Sequence, residues 1–332
     1  MATIAMLSAE WNSLLELTAY NNTMTITVSS VQKRTGDYSY KVGGYSSNFM
    51  QKTFPANPEI YLQYGLYMNN TFTGATFGLR SGGTWILSIS RNASGYLEVR
   101  SGQNGTLLAT GVTPTINGKW YVVELHLKLA DSGGIVELRL DGNLECTFIG
   151  DTKPGSDTTV DNLYWISWGS GPEYFIDDVI VNDLSGSINN SWPGGLKLFL
   201  VKPVADAGPK EWTPSSGTDH YALLNELPPS GDDYLRATAS DLIDLFDLED
   251  LPAEAQSVKA VALDFFGLKG STVAPSRIAQ IVSLGGIDYV QADQDLPLAQ
   301  GLVRKFLDTN PAGGNWNVAT VNAMLSGIKS RP

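Results

Sequence analysis

The sequence predicts an all-β protein of two β-sandwich domains, the second smaller than the first and carrying one short C-terminal helix. Three observations point there. Apolar residues recur at every second position in one short run after another, the period of a strand with one face buried. The runs are separated by Gly, Asn, Asp, Ser and Pro, which favour turns. Almost no stretch of the 332 residues carries helical periodicity. One-sided alternation belongs to antiparallel sheets with one dry face. Two dry faces must cover each other, which gives a sandwich or jelly roll.

Taken along the chain, residues 23–28 point Met24, Ile26 and Val28 inward, and 36–42 read as a turn and a short strand. Ile60, Leu62, Tyr64, Leu66 and Met68 share one face; Trp85, Leu87 and Ile89 form another row, and Leu97 with Val99 another. The clearest hairpin lies between Trp120 and Phe148. Tyr121, Val123, Leu125, Leu127 and Leu129 face inward, and Glu124, His126 and Lys128 face solvent. Asp141-Gly142, which favours positive φ, then turns the chain toward Leu144, Cys146 and Phe148. Leu163 to Trp168 and Tyr174 to Val181 complete the first set. The last of these places Ile176, Asp178 and Ile180 on one face and Phe175, Asp177, Val179 and Val181 on the other. A Gly-, Ser-, Asn- and Pro-rich connector follows, so the expected domains are residues 1–192 and 193–332.

In the second half, residues 196–201 read as a strand stopped at Pro203. Residues 204–233 form a long polar segment with four prolines, read as a surface excursion or an interaction arm. Strands are expected at 234–238, 242–246, 257–266, 278–284, 287–291 and 298–307. A helix is expected over 317–328, capped by Asn317, with Val318, Val321, Leu325 and Ile328 on one stripe.

Composition narrows the function. The net charge is −12, with 22 basic and 34 acidic residues. Such a chain is a poor partner for nucleic acid or an anionic membrane, where Lys and Arg supply the affinity. Cys146 is the single cysteine, so no intrachain disulfide forms, and its alternation makes it a small buried apolar residue. No apolar run has the length of a membrane helix. The N-terminus lacks a basic-then-apolar leader, so the chain is expected to be made and folded in a cytoplasm.

No catalytic set emerges from motif spacing. His126 and His220 are the two histidines, both read as solvated, and no Gly-x-Ser-x-Gly elbow accompanies them. Glycoside hydrolysis needs two carboxylates in one cleft; Glu137, Arg139 and Asp141 read instead as a surface charge set. Asp177 and Asp178, as neighbours on a strand, point to opposite faces and form no dyad. One of them must be buried and needs a partner. Two partners fit: a structural Ca²⁺ held by Glu10, Asp177 and Asp178, or a hydrogen bond to a loop. Seven of the tryptophans, Trp85, Trp120, Trp165, Trp168, Trp192, Trp212 and Trp316, span both halves. An exposed aromatic row could stack on sugar rings or on a neighbouring subunit.

The hairpin from Gly118-Lys-Trp-Tyr121 through Gly134-Ile-Val-Glu-Leu-Arg-Leu-Asp-Gly142 resembles that of concanavalin A-like, laminin-G-like jelly rolls. A longer ordered run resembles a family of bacteriophage virion structural proteins with a jelly roll followed by a second β domain. It comprises Tyr174-Phe-Ile-Asp-Asp-Val, Asn182-Asp183, Ser185-Gly-Ser187, Asn189-Asn190 and Gly194-Gly-Leu-Lys197. Beyond these it takes in Trp212-Thr-Pro-Ser215, Gly231-Asp-Asp-Tyr234, Ser283-Leu-Gly-Gly-Ile-Asp-Tyr289 and Asn315-Trp316. The resemblance implies a non-enzymatic structural subunit of the virion, on the tail, its fibres or as capsid decoration. It would be homo-oligomeric, contact other virion proteins, and be made in the host cytoplasm and released with the virion by lysis. The alternative is a carbohydrate-binding module for host surface glycans, which could coexist with the first role.

Overall fold

The computed structural model describes residues 2–21, 25–43, 48–71, 73–167, 173–270 and 275–332. Met24 and Trp168 lie outside the described residues. The chain divides into two compact units, Met1–Phe199 and Leu200–Pro332.

In the first unit the strands are β1 (Thr3–Leu7), β2 (Ala19–Tyr20), β3 (Ile26–Ser29), β4 (Ser39–Val42), β5 (Asn48–Asn57), β6 (Glu59–Met68), β7 (Gly74–Ser81) and β8 (Thr84–Arg91). They continue as β9 (Tyr96–Ser101), β10 (Leu107–Pro114), β11 (Trp120–Lys128), β12 (Gly134–Leu140), β13 (Asn143–Gly150), β14 (Val160–Ser167) and β15 (Tyr174–Asn182). Eight form one sheet, ordered β13-β12-β11-β6-β15-β4-β3 with β1 also on β15. Seven form the other, ordered β10-β9-β8-β7-β14-β5-β2. Every pairing is antiparallel; the consecutive runs β11–β13 and β7–β10 are joined to strands distant in sequence, β6 lying between β11 and β15 and β14 between β7 and β5, as in a jelly-roll sandwich.

The alternation that predicted the sandwich is the one that builds it. Ile60, Leu62, Tyr64, Leu66 and Met68 of β6 are buried, as are Val123, Leu125 and Leu127 of β11. They meet Phe77, Leu79, Leu163 and Trp165 of the opposite sheet in one continuous core. Tyr64 packs edge-on against Trp165 and tilted against Phe77. Asp141 and Gly142 take φ of 51° and 80° in the tight β12–β13 turn.

The outer face of the eight-stranded sheet is not the wet face that alternation implies. Residues 192–198, expected in part as a strand, run across it as a strap, with Gly194 and Gly195 at φ of 80° and 76°. Gly194 N–H donates to Glu124 Oε1 at 2.8 Å, and Gly195 and Leu196 donate to Gln63 Oε1 at 3.1 and 3.0 Å. Leu198 N–H donates to Asp178 Oδ1 at 2.7 Å. Side chains rather than a neighbouring strand hold this segment, which is why it carries no ladder. Beneath it His126 is buried and stacked on Tyr61 with ring centroids 4.1 Å apart, and its Nε2 lies 2.8 Å from Glu59 Oε1. The expected solvated histidine is therefore a packed one.

The second unit contains β16 (Pro203–Lys210), β17 (Thr213–Pro214), β18 (Leu235–Arg236), β19 (Ile243–Leu248), β20 (Val261–Gly267) and β21 (Arg277–Leu284). After them come β22 (Ile287–Val290), β23 (Gln294–Asp295), β24 (Gly301–Leu307), α1 (Val318–Asn322) and β25 (Leu325–Arg331). Six strands form a sheet, β16-β19-β25-β21-β22 with β23 also on β21, while β20 pairs β24 and β17 pairs β18. Leu263 packs with Val282, Trp316, Val321 and Met324, and Phe265 and Val303 lie against Trp212, Ile278 and Ile328. The β20–β24 ribbon thus covers the main sheet.

Two expectations change here. The helix over 317–328 stops after five residues, although Asn317 caps it by accepting from Thr320 N–H at 2.9 Å. Leu325 and Ile328 belong instead to β25, which sits between β19 and β21. Ladders on both sides outweigh a weak helical preference. Gly327 marks the spot: a Cβ there would lie 2.5 Å from the Asp244 carbonyl oxygen. The 204–233 segment is also no plain excursion, since it supplies β16, β17 and a 3₁₀ turn at Tyr221–Leu223. His220, ahead of that turn, is buried, with Nδ1 2.5 Å from Asp244 Oδ2.

Candidate functional site

The outer face of the seven-stranded sheet carries an aromatic platform. Phe49 of β5 and Tyr164 of β14 stack with centroids 4.9 Å apart and planes 19° from parallel. Trp85 of β8 meets Tyr164 edge-on at 5.3 Å. The Arg80 guanidinium of β7 lies over Tyr164 at 4.5 Å and beside Trp85 at 5.9 Å. All four side chains are half-buried, with part of each open to solvent.

Alternation from Leu87 and Ile89 places Trp85 in the core. The structure corrects this. The β7–β8 register runs Leu79 opposite Leu87 but Arg80 opposite Trp85, an extra residue on β8. Such a bulge turns every side chain beyond it to the other face. Leu87 and Ile89 stay in the core and Trp85 comes out opposite Arg80. Its ring lies flat against Gly78, where a Cβ would fall 2.0 Å from Trp85 Cζ3. Gly78 therefore provides the seat for the platform's tryptophan.

Polar groups flank the rings. Arg80 donates through Nε and Nη2 to Gly83 O at 3.2 and 2.5 Å, which fixes the guanidinium over Tyr164. Asn162, opposite Arg80 in the β7–β14 register, is buried and donates to Gln51 Oε1 at 3.3 Å. Its Oδ1 accepts no hydrogen bond from the protein. A buried carbonyl oxygen without a donor costs about 1–3 kcal/mol. Burial raises the Tyr164 phenol above its ordinary pKa, with Arg80 opposing, so it stays a neutral hydrogen-bonding group at physiological pH. Phe49 covers the Tyr164 ring from one side and Arg80 from the other, so the row presents apolar ring edges, a phenol and a guanidinium, which suit a ligand with both apolar C–H and hydroxyl surfaces.

The residues considered for calcium, Glu10, Asp177 and Asp178, come together around one loop, and N–H groups and a guanidinium meet them there. Asp178 sits in a β-bulge on β15, with φ of 49° and a register jump between Asp177 and Ile180. The bulge breaks the alternation that separated the two aspartates, so both reach residues 34–35. Asp177 Oδ2 accepts from the N–H of Arg34 and Thr35 at 2.8 and 3.1 Å. Asp178 Oδ2 accepts from Thr35 Oγ1 at 2.8 Å and pairs with Arg34 Nη1. Glu10 accepts from the N–H of Asp37 and Tyr38 at 2.8 and 3.1 Å. Burial lifts Glu10 to about 7. Burial and the neighbouring Asp178 charge lift Asp177 to about 9. Among the described residues, no group of three or more His, Cys, Asp or Glu is arranged to hold a metal ion. This knot ties the 34–38 loop and the strap to β15.

No family model matches the chain, and no curated protein matches it. Solved structures do. A sialidase matches with 12% identity and a TM-score of 0.43 over 55% of this chain, which spans 19% of the sialidase. A carbohydrate esterase from a Shiga toxin-encoding bacteriophage matches with 15% identity and a TM-score of 0.41, covering 55% of this chain and 99% of that one. A carbohydrate binding module from Bacillus subtilis matches with 12% identity and a TM-score of 0.35, covering 50% and 97%. These all-β neighbours include carbohydrate-active and carbohydrate-binding proteins, one of them from a phage.

The comparison corrects one expectation. The resemblance and the missing catalytic spacing imply a non-enzymatic chain, yet two of these structures are named as enzymes. The physical reason is that a sandwich assembles sites from strands far apart in sequence. Arg80, Trp85 and Tyr164 meet across three strands, and no local motif announces them.

Proposed function

We propose that the first unit is a carbohydrate-binding sandwich that docks sugar rings on Phe49, Tyr164, Trp85 and Arg80. The observation that supports it is the row of three half-buried aromatic side chains gathered with Arg80 on one sheet face. Sugar rings offer C–H surfaces to such aromatic groups and hydroxyls to the flanking phenol and guanidinium. We further propose that the chain is an exterior accessory subunit of a bacteriophage particle, on its tail, fibre or capsid. It would assemble in several copies, contact other virion proteins and use the platform on host surface glycans. The ordered motif run from Tyr174 to Trp316 supports that placement.

A glycan array of bacterial surface polysaccharides tests the platform. The wild-type protein is expected to bind at least one, and Tyr164→Ala to bind it at least tenfold more weakly, a loss of about 1.4 kcal/mol. No hit with the wild type, or equal binding by the variant, would remove the reading. Mass spectrometry of purified particles tests the placement, which fails if the polypeptide is missing from them.

A further inference from the structure

A second hollow lies on the opposite sheet of the first unit, between β11, β12 and the strap. Its volume is about 430 Å³ and its walls are Val122, Glu124, Arg139, Asp141, Trp192 and the glycines 142, 194 and 195. That is the size range of small-molecule sites. At each of the three glycines a Cβ would meet nothing within 4 Å, so the backbone itself borders open space.

Glu124 is the informative wall residue. It is only 2% exposed, yet one carboxylate oxygen is spoken for by Gly194 N–H and nothing among the described residues donates to the other. A carboxylate this buried needs a donor for each oxygen. Arg139 stands directly opposite Glu124 in the β11–β12 register. Its Nε and Nη2 are occupied by Glu137, and its guanidinium lies over the Trp192 ring at 4.0 Å. Its Nη1 has no partner among the described residues. The Asp141 oxygens are taken by Val122 N–H at 2.8 Å and Lys119 Nζ at 3.1 Å.

The charges select the ligand class. Arg139 and Lys119 oppose a cation, and one free carboxylate oxygen is too few for a metal. Glu124 and Asp141 oppose an anion. An apolar guest would leave the Glu124 oxygen without a donor. A neutral polyol, donating a hydroxyl to Glu124 and accepting from Arg139, satisfies both free groups. We infer that this hollow is a second, independent binding site for a neutral hexose-sized polyhydroxyl ligand, on the sheet opposite the aromatic platform.

The test is an amide NMR titration of the full chain with glucose, galactose, mannose and N-acetylglucosamine, each to 50 mM on the order of weak monosaccharide affinities. At least one sugar is expected to shift the amides of Gly142, Gly194 and Gly195 saturably. Glu124→Gln keeps an oxygen for Gly194 but puts an amide where the free acceptor was, and is expected to weaken that titration at least tenfold. Arg139→Met, which spares Glu124, is expected to weaken it too. Tyr164→Ala is expected to leave it unchanged, which separates this site from the platform. The inference is overturned if no sugar shifts those amides, if Glu124→Gln and Arg139→Met titrate like the wild type while folded, or if Tyr164→Ala abolishes the response.

Discussion

Single side chains set the electrostatics of the first unit. Glu10 is raised from 4.5 to about 7 by burial, against the pull of the Asp37 and Tyr38 N–H groups. Asp177 is raised from 3.8 to about 9 by burial and by Asp178. Both groups hold a proton more tightly folded than unfolded. Their stabilisation is therefore complete below about pH 4 and drains away as pH rises through 7 and then 9. The melting temperature is expected to fall between pH 5 and pH 9. Glu10→Gln, neutral throughout, should flatten the part of that slope below pH 7. A melting temperature that rises across this range, or a slope indifferent to the substitution, would contradict the assignment. Gly78 gives a second residue-scale expectation. Its Cβ would strike the Trp85 ring, so Gly78→Ala should displace the ring and cost about 1–3 kcal/mol in chemical denaturation. It should also weaken glycan binding as Trp85→Ala does. Unchanged binding by Gly78→Ala would mean that Trp85 is not part of the platform.

At the scale of elements, two bulges and a strap decide what the sandwich presents. The bulge on β8 brings Trp85 out to Arg80, and the bulge on β15 brings Asp177 and Asp178 to the same loop. Neither could be read from the sequence, because a bulge is an extra residue in one strand relative to a partner, and the partner is known only in the fold. The strands themselves were legible. The rows from Ile60 to Met68 and from Tyr121 to Leu127 were visible as alternation and are the core. What alternation misassigned were its wet faces. Glu124 and His126 looked solvated, and are buried by a strap whose attachment rests on side chains remote in sequence. Gln63 is the centre of that attachment, accepting from Gly195 and Leu196 and donating from Nε2 to Asp178 O and Leu196 O at 3.1 and 2.8 Å. Gln63→Leu should free the strap, cost about 2–4 kcal/mol and raise hydrogen exchange at Gly195 and Leu196. Protection at those amides unchanged by the substitution would show that the strap is held some other way.

At the scale of the whole molecule, the first unit has its own continuous core and both sheets, and every residue of the platform belongs to it. All-β architecture and a smaller second sheet domain with one short helix were predictable from period and turn chemistry alone. The site was not, since Phe49, Arg80, Trp85 and Tyr164 become neighbours only when β5, β14, β7 and β8 line up. The central claim is that this line-up binds sugar. Its most direct measurement is isothermal titration of the polysaccharide found on the array against a fragment of residues 1–199 and its Tyr164→Ala variant. The fragment is expected to match the full chain in affinity, and the variant to lose at least tenfold while melting at nearly the same temperature. Full affinity in the variant, or binding confined to the chain beyond residue 199, would contradict the account.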